Sequence, residues 1–229
     1  MSKLQTEKIM LSKDIRESII AMIKREVVPA IGCTEPVAVS LCVARATELL
    51  GSTPEKITAR LSANILKNAM GVGIPATGMI GLPIAIALGA LVGRSEYELE
   101  VLKDADAEAV ERGKQYIDEE RISIELKKGI TEKLYVEIEA VAAGHRAVAI
   151  ISGGHPNFVY LQRDGEVLCD NQVAATEQAG GEEVALNLRC VYDFAMTTPL
   201  EEIEFIEESM RLNKAAAESA FAGEHGHAL

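Results

Sequence analysis

Tryptophan is absent from the 229 residues, and aromatic residues together make up only 4% of them. A core built with so few large rings has to come mainly from Ala, Val, Ile and Leu; hydrophobic residues reach 48% of the chain, as in a globular protein. Positive charge is short as well. The 23 Lys and Arg stand against 35 Asp and Glu, a net charge of −12, which argues against nucleic acid or an anionic membrane surface as a partner. Cysteine is sparse and scattered: Cys33, Cys42, Cys169 and Cys190 form no CxxC pair, so no zinc site or disulfide framework is indicated. The opening residues, Met1 to Arg16, are mixed and charged, unlike a secretory signal, and a cytoplasmic home is the expectation. Long apolar runs are also lacking. No charge falls between Lys67 and Arg94, but Gly71, Gly73, Pro75, Gly78, Gly81 and Pro83 interrupt the first half. What remains, about Leu82 to Val92, suits a buried core helix better than a membrane span.

Against that background one stretch stands out, Ile31-Gly32-Cys33-Thr34-Glu35-Pro36. Gly32 permits an unusual turn, Thr34 can cap a helix, and Pro36 suits a first helical turn. Cys33 is therefore expected at or just before a helix N-terminus, where unpaired N–H groups lower a thiol's pKa. A thiolate there can act as base, nucleophile or metal ligand; the plain alternative is a buried cysteine serving as a small hydrophobe.

Residues 12 to 28 follow helical periodicity with caps at Ser12 and Asp14, and about Pro36 to Leu50 reads as a central helix closed by Gly51. Ile57 to Ile65 alternates as a half-buried strand. The run from Leu66 to Gly78, rich in glycine and proline with Lys67, Asn68 and Thr77 as its long polar groups, reads as a loop. Such a loop could cradle an anion, or simply pack tightly against small residues. An exposed helix is expected over 95 to 118, then four or five short antiparallel strands from Ile122 to Leu168. Between the third and fourth lies Ser152-Gly153-Gly154-His155-Pro156-Asn157, where His155 could contact a substrate or act as a base. Asp170 to Glu182 reads as a surface loop, and Pro199 opens a last helix. His225 and His227, an i, i+2 pair in a glycine-containing tail, are assigned no site. The class expected is α+β: an apolar helical core around the Cys33 helix N-terminus, with an antiparallel sheet lobe. The parts expected are a mainly helical 1–118, a mainly β 119–198, and a helix and tail over 199–229.

Three motifs carry a family resemblance: Gly32-Cys33-Thr34-Glu35-Pro36; Lys67-Asn68-Ala69 leading to Gly73-Ile74-Pro75 and Thr77-Gly78; and Gly154-His155-Pro156-Asn157. With them the chain resembles the N-terminal half of the L-cysteine desulfidase family, related to the iron–sulfur L-serine dehydratase alpha subunit. The resemblance implies β-elimination on L-cysteine or L-serine, giving pyruvate and ammonia, with sulfide from cysteine, on a 4Fe-4S cluster. It implies Cys33 as the catalytic thiolate. Substrate contacts would come from Thr34, Glu35, Asn64, Lys67 and Asn68, with Thr77, His155 and Asn157 as further candidates. It also implies a C-terminal half holding the cluster-ligating cysteines, so that the present chain would be an incomplete portion not holding the cluster alone. The expected partners are a small amino acid and either a second copy or that half, with neither nucleic acid nor membrane. The alternative is a shortened, non-catalytic amino-acid-binding or assembly module.

Overall fold

The computed structural model describes residues 11–75, 77–172 and 186–223. The chain divides into two compact units, residues 30–181 and residues 1–29 together with 182–229.

The larger unit begins with α2 (Thr34–Leu50), whose residues from Pro36 to Ala44 are all buried. An α-helix that is apolar nearly all round has to be covered on most sides. Helix α4 (Leu82–Leu91) is equally apolar, and the two pack together. Gly89 makes the close crossing possible, since a Cβ there would lie 2.7 Å from the Ser40 carbonyl oxygen. Ser40, buried at the contact, donates to the Ala85 carbonyl at 2.8 Å and so avoids an unpaired hydroxyl. Helix α5 (Ala107–Asp118), capped by Asp106, packs against α4.

Beside the helices runs a six-stranded sheet in the order β4-β1-β5-β6-β7-β8. Its strands are β1 (Lys56–Leu61), β4 (Ile122–Leu126), β5 (Tyr135–Ala142), β6 (His145–Ser152), β7 (Phe158–Arg163) and β8 (Glu166–Asp170). All neighbours are antiparallel except β1 and β4, which run parallel. The class is thus α+β, with a mixed sheet in place of a purely antiparallel one. Helix α2 packs on β5 and β6, and the buried Cys42 thiol donates to the Ala149 carbonyl at 3.3 Å. Helices and sheet therefore share one core.

Three local readings of the sequence change. The strand from Ile57 stops at Leu61, because Ser62 caps a short helix, α3 (Ala63–Ala69), accepting from the Ile65 N–H at 3.4 Å. Lys67 and Asn68 accordingly sit on that helix and not in a loop. The glycine- and proline-rich remainder is a small hairpin, β2 (Gly73–Ile74) and β3 (Met79–Ile80), its base closed by the Gly81 N–H on the Val72 carbonyl at 2.9 Å. Between α4 and α5, residues Ser95–Glu100 form a 3₁₀ turn instead of a continuous helix.

In the smaller unit α1 (Lys13–Glu26) is joined by α6 (Leu188–Thr197), α7 (Leu200–Ile203) and α8 (Ile206–Phe221). Arg16 pairs with Glu202 through two hydrogen bonds of 2.8 and 3.1 Å, and Lys24 stands 5.1 Å from the Phe205 ring centre. Most of the loop expected over 170–182, and the tail with His225 and His227, lie outside the described residues. Among the described residues no helix is long and apolar enough to cross a membrane.

Candidate functional site

Cys33 is the N-cap residue of α2, in extended backbone conformation (φ −60°, ψ 127°), and not the first residue inside the helix. The turn that delivers it is tight: a Cβ on Gly32 would meet Pro75 Cγ of the hairpin at 3.0 Å, so only glycine fits there without displacing the proline. Cys33, Thr34 and Glu35 are half-buried, and Pro36 after them is buried.

The three polar side chains form one cluster around the Glu35 carboxylate. The Cys33 thiol donates to Oε2 at 2.9 Å, and the Thr34 hydroxyl approaches the same oxygen at 3.4 Å. Asn68, reaching across from α3, donates its amide to Oε1 at 3.0 Å. From the β6–β7 turn, His155 is near enough for its charge and that of Glu35 to influence each other.

The electrostatics differ from the sequence expectation. The thiol's pKa is raised, first by burial, then by its hydrogen bond to Glu35 and that residue's negative charge; the Glu35 N–H offsets only part of this. A helix N-terminus lowers a thiol's pKa only where nothing negative faces it. Here a carboxylate two residues on takes the proton-bearing side, so the thiolate anticipated for Cys33 is a neutral thiol. Glu35 itself is held below the usual carboxylate range, chiefly by the Cys33 hydrogen bond and also by Asn68. Burial pushes His155 below the ordinary imidazole value, against the pull of Glu35.

Of the remaining candidates, Asn64 and Lys67 are exposed on α3, four residues and one residue before Asn68, so all three lie on neighbouring positions of one helix. Lys67 makes no ion pair among the described residues. Thr77 serves the hairpin: its hydroxyl donates to the Ile74 carbonyl at 2.7 Å and accepts from the Met79 N–H at 2.9 Å. The N–H groups of Thr77, Met79 and Gly81 are bonded inside the hairpin and so are not free to hold an anion. Asn157 is likewise engaged in its own turn, donating to the Ser152 carbonyl at 2.8 Å. The structure thus brings together Cys33, Thr34, Glu35, Asn68 and His155, and leaves Thr77 and Asn157 to turn geometry. Among the described residues no three His, Cys, Asp or Glu side chains are grouped as a metal site.

A second concave region went unnoticed in the sequence. A cleft of about 720 Å³ is lined by Arg45 of α2, by Arg94, Glu96 and Glu98 before α5, and by Pro156 and Phe158 at the start of β7. Arg45 had one available signal, as the lone charge in the mostly apolar stretch from Pro36 to Ala46.

Comparison with known proteins identifies relatives but no activity. The chain is 63% identical over 219 residues to a UPF0597 protein of Bacteroides fragilis, covering 96% of this chain and 51% of that one. A UPF0597 protein of Phocaeicola vulgatus is 64% identical over 220 residues, and one of Oleidesulfovibrio alaskensis 42% identical over 208. The chain spans about half the length of these relatives. No protein-family model matches, and no solved structure matches. These relatives overturn the resemblance to the cysteine desulfidase and serine dehydratase family: over nearly the whole chain the similarity is to UPF0597 proteins. The iron–sulfur lyase reading built on that resemblance falls with it, because the motifs that carried it belong equally to a chain whose relatives' names state no such chemistry.

Proposed function

We propose that the Cys33 cluster is a paired acid–base site that moves a proton on a small polar substrate. The observation that carries this reading is the hydrogen bond of 2.9 Å from the Cys33 thiol to a Glu35 carboxylate that Asn68 fixes from the other side, with His155 close by. Reaction types that take a proton from one position and return one elsewhere need a base in its free form and an acid still protonated at the same pH. His155, held low, is a neutral imidazole at neutral pH, while Cys33, held high, is a neutral thiol. In this reading His155 accepts the proton and Cys33 supplies one. Glu35 and Asn68 are positioning residues, and Lys67 in the last turn of α3, without an ion pair among the described residues, favours an anionic substrate.

The test is deuterium incorporation from D₂O at the α-carbon of L-alanine, L-lactate and L-malate, followed by NMR. Incorporation into at least one, reduced about 100-fold or more in Cys33→Ala and in His155→Gln, is the expected result. Activity should be flat across neutral pH, rising through the His155 pKa on the acid side and falling through the Cys33 pKa on the alkaline side. No incorporation into any of the three, or incorporation indifferent to both substitutions, contradicts the reading.

A further inference from the structure

The cleft beside Arg45 has features that the Cys33 cluster does not use. Leu41, Arg45 and Glu48 recur at spacings of four and three residues, so they share one face of α2. Arg45 lies 12 residues beyond Cys33, about 18 Å along the helix, although the far end of the cleft reaches Pro156, next to His155. At about 720 Å³ the cleft is of the size that takes small organic ligands.

Its hydrogen bonding is uneven. Glu48 is well satisfied: it accepts from the Ser95 N–H at 2.7 Å and from the Ser95 hydroxyl at 2.5 Å. Arg45 has a single contact with it, at 3.3 Å, and most of its five N–H donors meet no other partner among the described residues. Arg94, on the facing segment, meets the Tyr97 hydroxyl at 3.2 Å, lies 5.7 Å from the centre of that ring and stands 3.8 Å from Asp104, with no closer acid among the described residues. The ends of two guanidinium groups are therefore open in one cleft whose remaining wall, Leu41, Phe158 and Leu161, is apolar. Glu96 and Glu98 also line it, both exposed, and their charge disfavours a polyanion.

We infer that this cleft is a second binding site, for a small organic monoanion with an apolar body, its carboxylate held by Arg45 and Arg94. Guanidinium forks match such groups in two-point geometry, and the apolar wall receives the rest of the molecule. The site stands apart from the acid–base reading and does not require it.

Sodium benzoate is the probe, titrated into the ¹⁵N-labelled chain, with benzylamine as a control of the same shape and opposite charge. Benzoate should shift the amides of residues 94–98 and 158–161 saturably, with a dissociation constant in roughly the millimolar range. Arg45→Gln, which keeps the helix, should weaken it about tenfold while leaving the rest of the spectrum in place. Three results each overturn the inference: benzylamine binding there as tightly as benzoate, benzoate binding unchanged in both Arg45→Gln and Arg94→Gln, or no saturable shift at those amides.

Discussion

Glu35 accepts from Cys33, Asn68 and, more distantly, Thr34, so one carboxylate organises the side chains around it. Removing Asn68 leaves Oε1 without that donor. Asn68→Ala should lower stability by about 1–2 kcal/mol in urea unfolding at neutral pH. The pH dependence follows from the direction of the Glu35 shift. Its folded pKa lies below the unfolded value, so its stabilisation is complete above the ordinary carboxylate range and disappears as pH falls through the folded pKa. The stability gap between the parent chain and Glu35→Gln should accordingly be constant near neutrality and shrink below about pH 4. A gap that persisted at pH 3 would show that shape rather than charge sets it. The motif around Cys33 was legible in the sequence. The sign of the thiol's shift was not, because it depends on where the Glu35 side chain turns and on Asn68 arriving from another helix.

At the scale of elements, α2 and α4 cross at Gly89, and its substitution separates two opposing effects. Alanine is the better helix former by about 1 kcal/mol, yet its Cβ would sit 2.7 Å from a backbone oxygen that cannot move alone. Overpacking of that kind costs roughly 1–3 kcal/mol, so Gly89→Ala should destabilise in thermal unfolding despite its propensity. The reverse holds at Glu98, whose φ of 47° with ψ of −120° is a conformation that glycine tolerates and other residues rarely adopt. Glu98→Gly should stabilise by about 1 kcal/mol; a loss instead would mean that its side chain contributes more than the backbone strain costs. The apolar helices and alternating strands were readable from periodicity alone, and Leu82 onward formed the core helix expected. The stop at Leu61 was hidden because Ala63, Ile65 and the polar residues between them continue a period of two, while the capping Ser62 decides for helix.

Over the whole molecule burial is concentrated in α2, α4 and the central strands β1, β5 and β6, whereas α8 has no buried residue. Amide exchange should be slowest in α2, α4, β5 and β6 and fastest in α8, since opening free energy follows local burial. Comparable protection in α8 would contradict that ordering. The parallel pairing of β1 with β4 was beyond the sequence's reach: it joins strands separated by the whole of α3 to α5, and nothing local in Ile57 to Leu61 names its partner. The cleft at Arg45 arises in the same way, from three segments far apart in the chain.

The central claim is that Cys33 is a thiol held protonated by burial and by Glu35, and the rate of its alkylation by iodoacetamide against pH tests it most directly. Residue-resolved mass spectrometry would follow Cys33 alone. The account predicts a midpoint above the ordinary thiol value in the parent chain, moving down in Glu35→Gln as the negative charge is removed, with burial keeping part of the rise. A midpoint below the ordinary value would contradict it and return Cys33 to the thiolate that its helix N-terminus alone would produce; a raised midpoint that Glu35→Gln leaves in place would contradict the part assigned to Glu35.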